Sequence, residues 1–392
     1  MGTEIARKLA TIRKVAAIEP IPKADRIVVA TVDGWKLVTQ KSNNFQVGDL
    51  VVYFEIDSFL PIHPAFEFLR DSSYKNVEGL GHGFRLKTIK LRGQISQGLI
   101  LPLKKNVVYG AHGSVVQWLM PILEKDWDAE DQSYIEVYEG DDVTEVLKVQ
   151  KYEQPVHASL AGVVRSTFPS WIRKTDQERV QNLLGKFKQL PPSVYTDSAG
   201  VTYTKEHDNW LDHTWEVTMK LDGSSMTVYY NSKLEEPFGV CSRNMDLLES
   251  ESNAYWKVAN RHKLWATMML YYERTGRNIA IQGELMGPGV QGNGENLSEL
   301  EMFVFDVFDI DKGSYLNATE RDEICMRFGL KHVPVLSTGF VVDETTTLQD
   351  LLELANGASL NALVREGIVF KSEQDPDISF KVINDYWLLN EK

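Results

Sequence analysis

A lysine fixed at the end of a strand beside a glycine turn is placed to act as a nucleophile, and Lys220 is such a residue. The stretch EVTMKLDGSSMTVYY, residues 216–230, alternates Val217, Met219 and Leu221 with polar positions, breaks at Asp222, Gly223, Ser224 and Ser225, then resumes. That pattern predicts strand, tight turn, strand, with Lys220 at the mouth of the turn. Gly223 has no side chain to keep a ligand from the backbone. Residues that could serve the same site follow along the chain. IAIQGELMGPG is an apolar strand ending in Glu284, a carboxylate too costly to bury without a partner such as a ribose hydroxyl or a hydrated metal. VREGIVFK sets Glu366 and Gly367 at a strand start, SEQDPD turns, and ISFKVIN carries Lys381. One hairpin can then present an acid and a lysine to a common cleft.

Other segments frame these. GVCSRNMD puts Arg243 at a strand end, and EMFVFDVFDID predicts a strand with Phe303 and Phe305 on one face, Val304 and Asp306 on the other. In PSWIRKTDQERVQNLLGKF, Thr175 or Asp176 can cap a helix, Glu178 completes a capping box, and Val180, Leu183 and Leu184 form the apolar face. Arg179 then points elsewhere, as a phosphate contact or a plain surface arginine. Residues 254–274, rich in Trp, Met, Leu and Tyr, read as one core helix, and the polar residues 193–210 as irregular.

A chain of 392 residues has room for two or three domains, and 43% hydrophobic with 25% charged residues suits a soluble globular protein. No apolar run approaches the roughly 20 residues of a membrane span, and MGTEIARKLATIRK lacks the apolar core of a signal peptide, so a cytoplasmic protein is expected. Two cysteines and no HExxH spacing argue against a disulfide framework or a transition-metal centre. The net charge of −13 is unevenly spread: residues 1–105 hold 16 Lys+Arg against 10 Asp+Glu, which leaves 26 against 45 for the rest. The front of the chain is therefore the expected polyanion contact. It also reads as β-rich: residues 27–32 and 35–38 flank the hairpin signal Asp33-Gly34, residues 50–56 follow the turn at Gly48, and FRLKTIKLRG and QGLILPL complete a barrel of the OB type. Arg85, Lys87, Lys90 and Arg92 lie along FRLKTIKLRG, either as phosphate contacts or as charges guarding an edge strand. The division is 1–105 OB-type nucleic-acid-binding domain, 106–165 acidic connector with a short helix at 143–149, and 166–392 catalytic domain.

Lys220-x-Asp222-Gly223 resembles the adenylation motif of the covalent nucleotidyltransferases, the ATP-dependent ligases and capping enzymes. Arg243, Glu284, Phe305, Glu366-Gly367 and Lys381 follow in that superfamily's order over residues 166–390. A DNA ligase or capping enzyme carries its OB domain after the last motif, but only 11 residues follow Lys381. With the barrel in front and with KTDQERVQNL, KLDGSSMT and SFKVIN, the chain resembles the Deinococcus and Naegleria type of nick-sealing RNA ligase.

That resemblance implies an α+β protein: an N-terminal OB-type β-barrel, then a nucleotidyltransferase domain of antiparallel sheets flanked by helices. It implies that Lys220 takes AMP from ATP and passes it to a 5′-phosphate, after which a 3′-OH closes the break. It assigns ATP contacts to Arg179, Arg243, Glu284, Phe305, Glu366, Lys371 and Lys381, with Lys371 and Lys381 facing the α-phosphate. Asp222, Glu284 and Glu366 would hold Mg²⁺ or Mn²⁺ largely through water. A lysine of pKa roughly 10.4 is protonated at neutral pH, so the ion or Lys381 must push the Lys220 amine down. The implied partner is RNA as a nicked duplex, with no membrane and a monomer as the expected state. Three departures are visible: Met219 stands where a glutamate is common, the last motif reads Ser379-Phe380-Lys381 where Lys-x-Lys is usual, and the connector and the insertion before Trp215 have no assigned counterpart. The alternatives are a GTP-using RNA capping guanylyltransferase and a noncatalytic OB-fold nucleic-acid binder with a decayed ligase domain.

Overall fold

The structure is a computed structural model and describes residues 8–77, 79–110, 113–121, 134–152, 164–189, 192–196, 202–205 and 209–390. The chain divides into two compact units, residues 6–157 and residues 158–392.

The front unit is built on Leu50–Phe54, a strand apolar at every position and buried throughout. Its residues alternate between two cores, Leu50, Val52 and Phe54 into one and Val51 and Tyr53 into the other, as the two-residue repeat of a strand requires. It sits in a five-stranded antiparallel sheet ordered Leu99–Pro102, Leu50–Phe54, Ala10–Pro20, Ile27–Val32, Trp35–Gln40. The long first strand was not expected from the sequence. The hairpin at Asp33-Gly34 forms, with Asp33 in the left-handed region at φ 50° and its carboxylate 2.9 Å from Arg13. FRLKTIKLRG is not one strand: Gly81–Arg85 ends at Arg85, and Ile89–Leu91 starts a separate hairpin with Gln94–Ser96.

Residues 106–152 are not a connector. Lys104–Gly110, Gly113–Pro121 and Tyr134–Val137 form a three-stranded antiparallel sheet, and Met120, Val137, Val143, Leu147 and Val149 join the core around Phe54, Phe66 and Phe84. The expected helix at 143–149 is absent: the Val143 N–H donates to the Ala10 carbonyl, Thr144 Oγ1 accepts from Leu9 and Ala10, and Lys148 at φ 52° ends a single turn. Pairing with the first strand satisfies backbone groups that a helix would otherwise have used. The acidic residues 122–133 and the connector residues 153–163 lie outside the described residues.

Among the described residues the second unit holds two large sheets and one two-stranded sheet. The eight-stranded one runs Val164–Thr167, Met245–Leu247, Phe238–Cys241, Ser224–Tyr230, Ile279–Met286, Glu301–Asp309, Ser314–Tyr315, with Lys331–His332 also on Glu301–Asp309. Helices Ala254–Arg261, Leu264–Thr275 and Ala318–Phe328 cover one face, burying Trp256, Met268, Ile324 and Phe328 against Met226, Val228, Ile279 and Ile281. The single helix expected over 254–274 is broken at Lys263, which sits at φ 51°. The five-stranded sheet runs Glu178–Arg179, Ser379–Ile383, Gly367–Ser372, Thr214–Lys220, Val335–Val341. Trp215, Val217, Phe370 and Phe380 cover its back with helix Leu348–Ala355. Glu178 and Arg179 are not in a capped helix: they pair in parallel with Phe380 and Lys381, and short 3₁₀ turns follow. Residues 193–210 were expected to be irregular, yet Ser193–Thr196 and Thr202–Lys205 pair as a hairpin.

Candidate active site

The strands on either side of Lys220-Leu221-Asp222-Gly223 do not pair with each other. Thr214–Lys220 belongs to the five-stranded sheet and Ser224–Tyr230 to the eight-stranded one, so Leu221, Asp222 and Gly223 carry the chain across the seam between the sheets. The tight turn expected here is a crossover between sheets, which leaves Lys220 facing both sheets. Gly223 is obligatory at this passage: a Cβ there would lie 2.4 Å from the Leu285 carbonyl and 3.0 Å from Glu284 Cγ, and its N–H donates to Glu284 Oε1 at 3.0 Å. Gly367 is closed in the same way, 2.3 Å from the Val382 carbonyl.

Register decides what shares the cleft. Lys220 is opposite Gly367, Thr218 opposite Val369, and Glu216 opposite Lys371. One strand further, Val369 is opposite Lys381 and Lys371 opposite Ser379. Lys220, Lys371 and Lys381 therefore lie on one face, and Arg179, paired with Lys381 from the edge strand, is buried beside them. From the other sheet, Glu284 stands opposite Ser225 and Phe303.

The Lys220 amine lies 2.7 Å from Glu366 Oε1. Burial works against its charge, but Glu366, Glu284 and Asp222 together outweigh it and hold the amine above the ordinary lysine range. The half of the expectation that concerns Lys381 is corrected: among the described residues the side chains acting on the amine are carboxylates, and Lys381 lies against Asp176. The same crowding acts on Glu284, pushed up to about 8 by burial and by Glu366 and Asp222, against Lys220 and the Gly223 N–H.

The other predicted residues are placed as follows. Arg243 is exposed and pairs with Asp176 at 3.2 Å, while Lys381, largely buried, approaches the same carboxylate at 3.5 Å. Lys371 is buried, with its amine bonded to Asp306 and the Phe305 carbonyl, so it is engaged in a buried ion pair and is not a free point charge. A bulge in Glu301–Asp309 sets Asp306 opposite Gln282 and Phe303 opposite Glu284. Phe303 and Asp306 thus share a face, against the strict alternation expected, and Phe305 is the extra residue. Half-buried Phe305 packs with Phe303, Met219, Leu221 and Met286. In the front unit, Lys87, Lys90 and Arg92 are exposed, whereas Arg85 stacks on Tyr152 at 4.2 Å near Asp57.

The part that several residues play at the site went unnoticed in the sequence. Asp176 bridges two site cations, Thr175 Oγ1 lies 3.1 Å from Ser225 Oγ, and Tyr255 bonds Ser224 at 2.7 Å. Glu216 and Arg321 form a buried pair behind Lys220, at 2.6 and 2.7 Å. The KTD run held the only available signal, and it read equally well as a helix cap.

Comparison with known proteins fits this geometry. The OB-fold domain model matches residues 9–103 and the RNA ligase family model residues 213–383. A search of curated proteins finds no match. Among solved structures, the chain is similar to the RNA ligase of Naegleria gruberi in an apo form, at 36% identity and a TM-score of 0.76, over 98% of this chain and 98% of that one. It is equally similar to that protein with AMP and Mn, at 37% identity and a TM-score of 0.76 over 98% and 99%. A form with ATP and Mn gives 36% and 0.75 over 98% and 99%. No helix among the described residues is long and apolar enough to cross a membrane. With an OB fold in its N-terminal part, a two-sheet cleft in its C-terminal part and this likeness over nearly its whole length, the chain belongs to the RNA ligase family.

Proposed function

We propose that the protein is an ATP-dependent RNA ligase that seals 3′-OH/5′-phosphate nicks through a lysyl-AMP intermediate on Lys220. The observation that carries this reading is the Lys220 amine at the seam of the two sheets, 2.7 Å from Glu366, with Glu284 and Asp222 acting on the same charge. The complexes of the Naegleria enzyme with ATP and Mn and with AMP and Mn support ATP as the nucleotide.

In the first step the Lys220 amine gives up a proton and attacks the α-phosphorus; a P–N bond forms, the α–β P–O bond breaks, and pyrophosphate leaves. Glu366 is within reach of that proton. In the second, an oxygen of the RNA 5′-phosphate takes the AMP and the P–N bond breaks. In the third, the 3′-OH attacks the activated 5′-phosphorus and AMP departs with the bridging oxygen. Lys381 and Arg179 supply positive charge to the phosphates, Arg243 is a further ATP contact, and Phe305 offers the face for the adenine.

The donor set suits a divalent ion. Asp222, Glu284 and Glu366 are hard oxygen ligands, and the charges of Asp222 and Glu366 add to burial in raising the pKa of Glu284. Among the described residues no group of three or more His, Cys, Asp or Glu is placed to hold a metal ion directly; an Mg²⁺ or Mn²⁺ ion would be held there mostly through its own waters. When bound, such an ion offsets the carboxylate charge that keeps Lys220 protonated. The front unit, through Lys87, Lys90 and Arg92, serves as the RNA grip.

The test is incubation with α-labelled ATP or GTP. Covalent label from ATP and not from GTP is expected, lost in Lys220→Ala, together with sealing of nicked duplexes whose 3′-OH strand is RNA. Label retained in Lys220→Ala would overturn the assignment of the nucleophile, and label from GTP alone would make the protein a capping enzyme.

A further inference from the structure

Asp176 has no role in the chemistry above, yet it lies between two of the cations assigned to ATP. Its Oδ2 is 3.2 Å from Arg243 Nη2 and its Oδ1 3.5 Å from Lys381 Nζ. Those cations come from different sheets: Arg243 from the turn between Phe238–Cys241 and Met245–Leu247, Lys381 from Ser379–Ile383. The segment carrying Asp176 is anchored at both ends across the same cleft. Gln282 Nε2 donates to the Arg173 carbonyl at 2.8 Å and Thr175 Oγ1 lies 3.1 Å from Ser225 Oγ, which fixes its start to the eight-stranded sheet. Glu178 and Arg179 pair with Phe380 and Lys381, which fixes its end to the five-stranded sheet. The carboxylate is thus held over the cleft with little freedom to swing away.

We infer that Asp176 is a built-in competitor for phosphate: its carboxylate occupies the Arg243–Lys381 pair, and the polyphosphate of the nucleotide must displace it. This rests on the reading of the cleft as a nucleotide site. A carboxylate and a phosphate oxygen compete for a cation in the same currency, charge-assisted N–H···O bonds. The consequence is a site that binds pyrophosphate loosely enough to release it after the first step, at the expense of affinity for ATP. Asp176 is a positioning residue, since it acts through Arg243 and Lys381 and not on the reacting atoms.

The sign of one substitution separates this from a structural role. In Asp176→Asn the competing charge is gone while the side chain keeps its size. With two partly exposed ion pairs no longer competing, Kd for inorganic pyrophosphate, titrated calorimetrically with Mg²⁺ present, should fall roughly two- to thirtyfold. KM for ATP should fall with it, and pyrophosphate release should slow. If Asp176 merely props Arg243 and Lys381 in place, pyrophosphate binds more weakly in the variant; that result, or an unchanged Kd, overturns the inference. Asp176→Ser, shorter and also uncharged, provides the same comparison should the asparagine variant melt early. Wild-type labelling by ATP is scored separately. If the wild type takes no label, the reading of the site fails whatever pyrophosphate does; if it labels and the Kd does not fall, only the role of Asp176 fails.

Discussion

Removing one partner of the buried Glu216–Arg321 pair should destabilise the second unit strongly, and unequally from its two sides. Arg321 Nη2 lies 2.6 and 2.7 Å from the two Glu216 oxygens, with side chains 3% and 5% exposed. In such surroundings, losing one partner costs about 3–5 kcal/mol, because the other charge is left buried without compensation. Replacing both by apolar residues of similar size is close to neutral. The neighbours decide which single loss is worse. Lys371 stands opposite Glu216 across the strands, so Glu216 without Arg321 keeps a cation nearby, though one shared with Asp306. Arg321 without Glu216 faces Lys371, a like charge. Glu216→Met should therefore cost toward about 5 kcal/mol, Arg321→Met toward about 3, and the double variant within about 1 of the wild type. For a unit of about 230 residues, an unfolding entropy of about 2.1 cal/mol/K per residue turns these single losses into Tm decreases of about 6–10 °C. Calorimetry of the three variants, following the transition of this unit, is the assay. Single variants within about 1 kcal/mol of the wild type, or a double variant as unstable as the worse single, would refute the reasoning.

Two further outcomes follow from the same structure. His332 is held down to about 4, mainly by burial, with Arg321 and Lys371 adding to it. The unfolded imidazole, near 6.5, takes its proton first, so stability should fall as pH drops from about 6.5 to about 4, by on the order of 3 kcal/mol, and level off below. His332→Gln should remove that acid limb; chemical denaturation across the window checks it, and an unchanged limb assigns the effect to other groups. In the front unit, alanine at exposed Lys87, Lys90 and Arg92 together should weaken RNA binding and flatten its log–log salt dependence by roughly 2 to 3. An unchanged slope in a titration over salt would place the phosphate contacts elsewhere.

What could be read from the sequence was whatever depends on neighbours along the chain. The alternation in EVTMKLDGSSMTVYY gave the strand that ends at Lys220, the apolar run of IAIQGELM gave the strand bearing Glu284, and VREGIVFK with ISFKVIN gave the hairpin that sets Val369 opposite Lys381. The charge asymmetry and turn signals of the first 105 residues marked the OB fold that the comparison also finds at 9–103. Pairing across long sequence distances was hidden, because a strand's pattern shows which face is apolar and not which strand lies beside it. So the tight turn read at Asp222-Gly223 gave no sign that it crosses between sheets, and Glu178-Arg179 read as helix when an edge position beside Ser379–Ile383 was open to it. The electrostatics were hidden for the same reason. Whether Lys220 meets cations or carboxylates depends on Glu284 and Glu366, more than 60 residues away in sequence, and only folding brings those three charges within a few ångströms of one another.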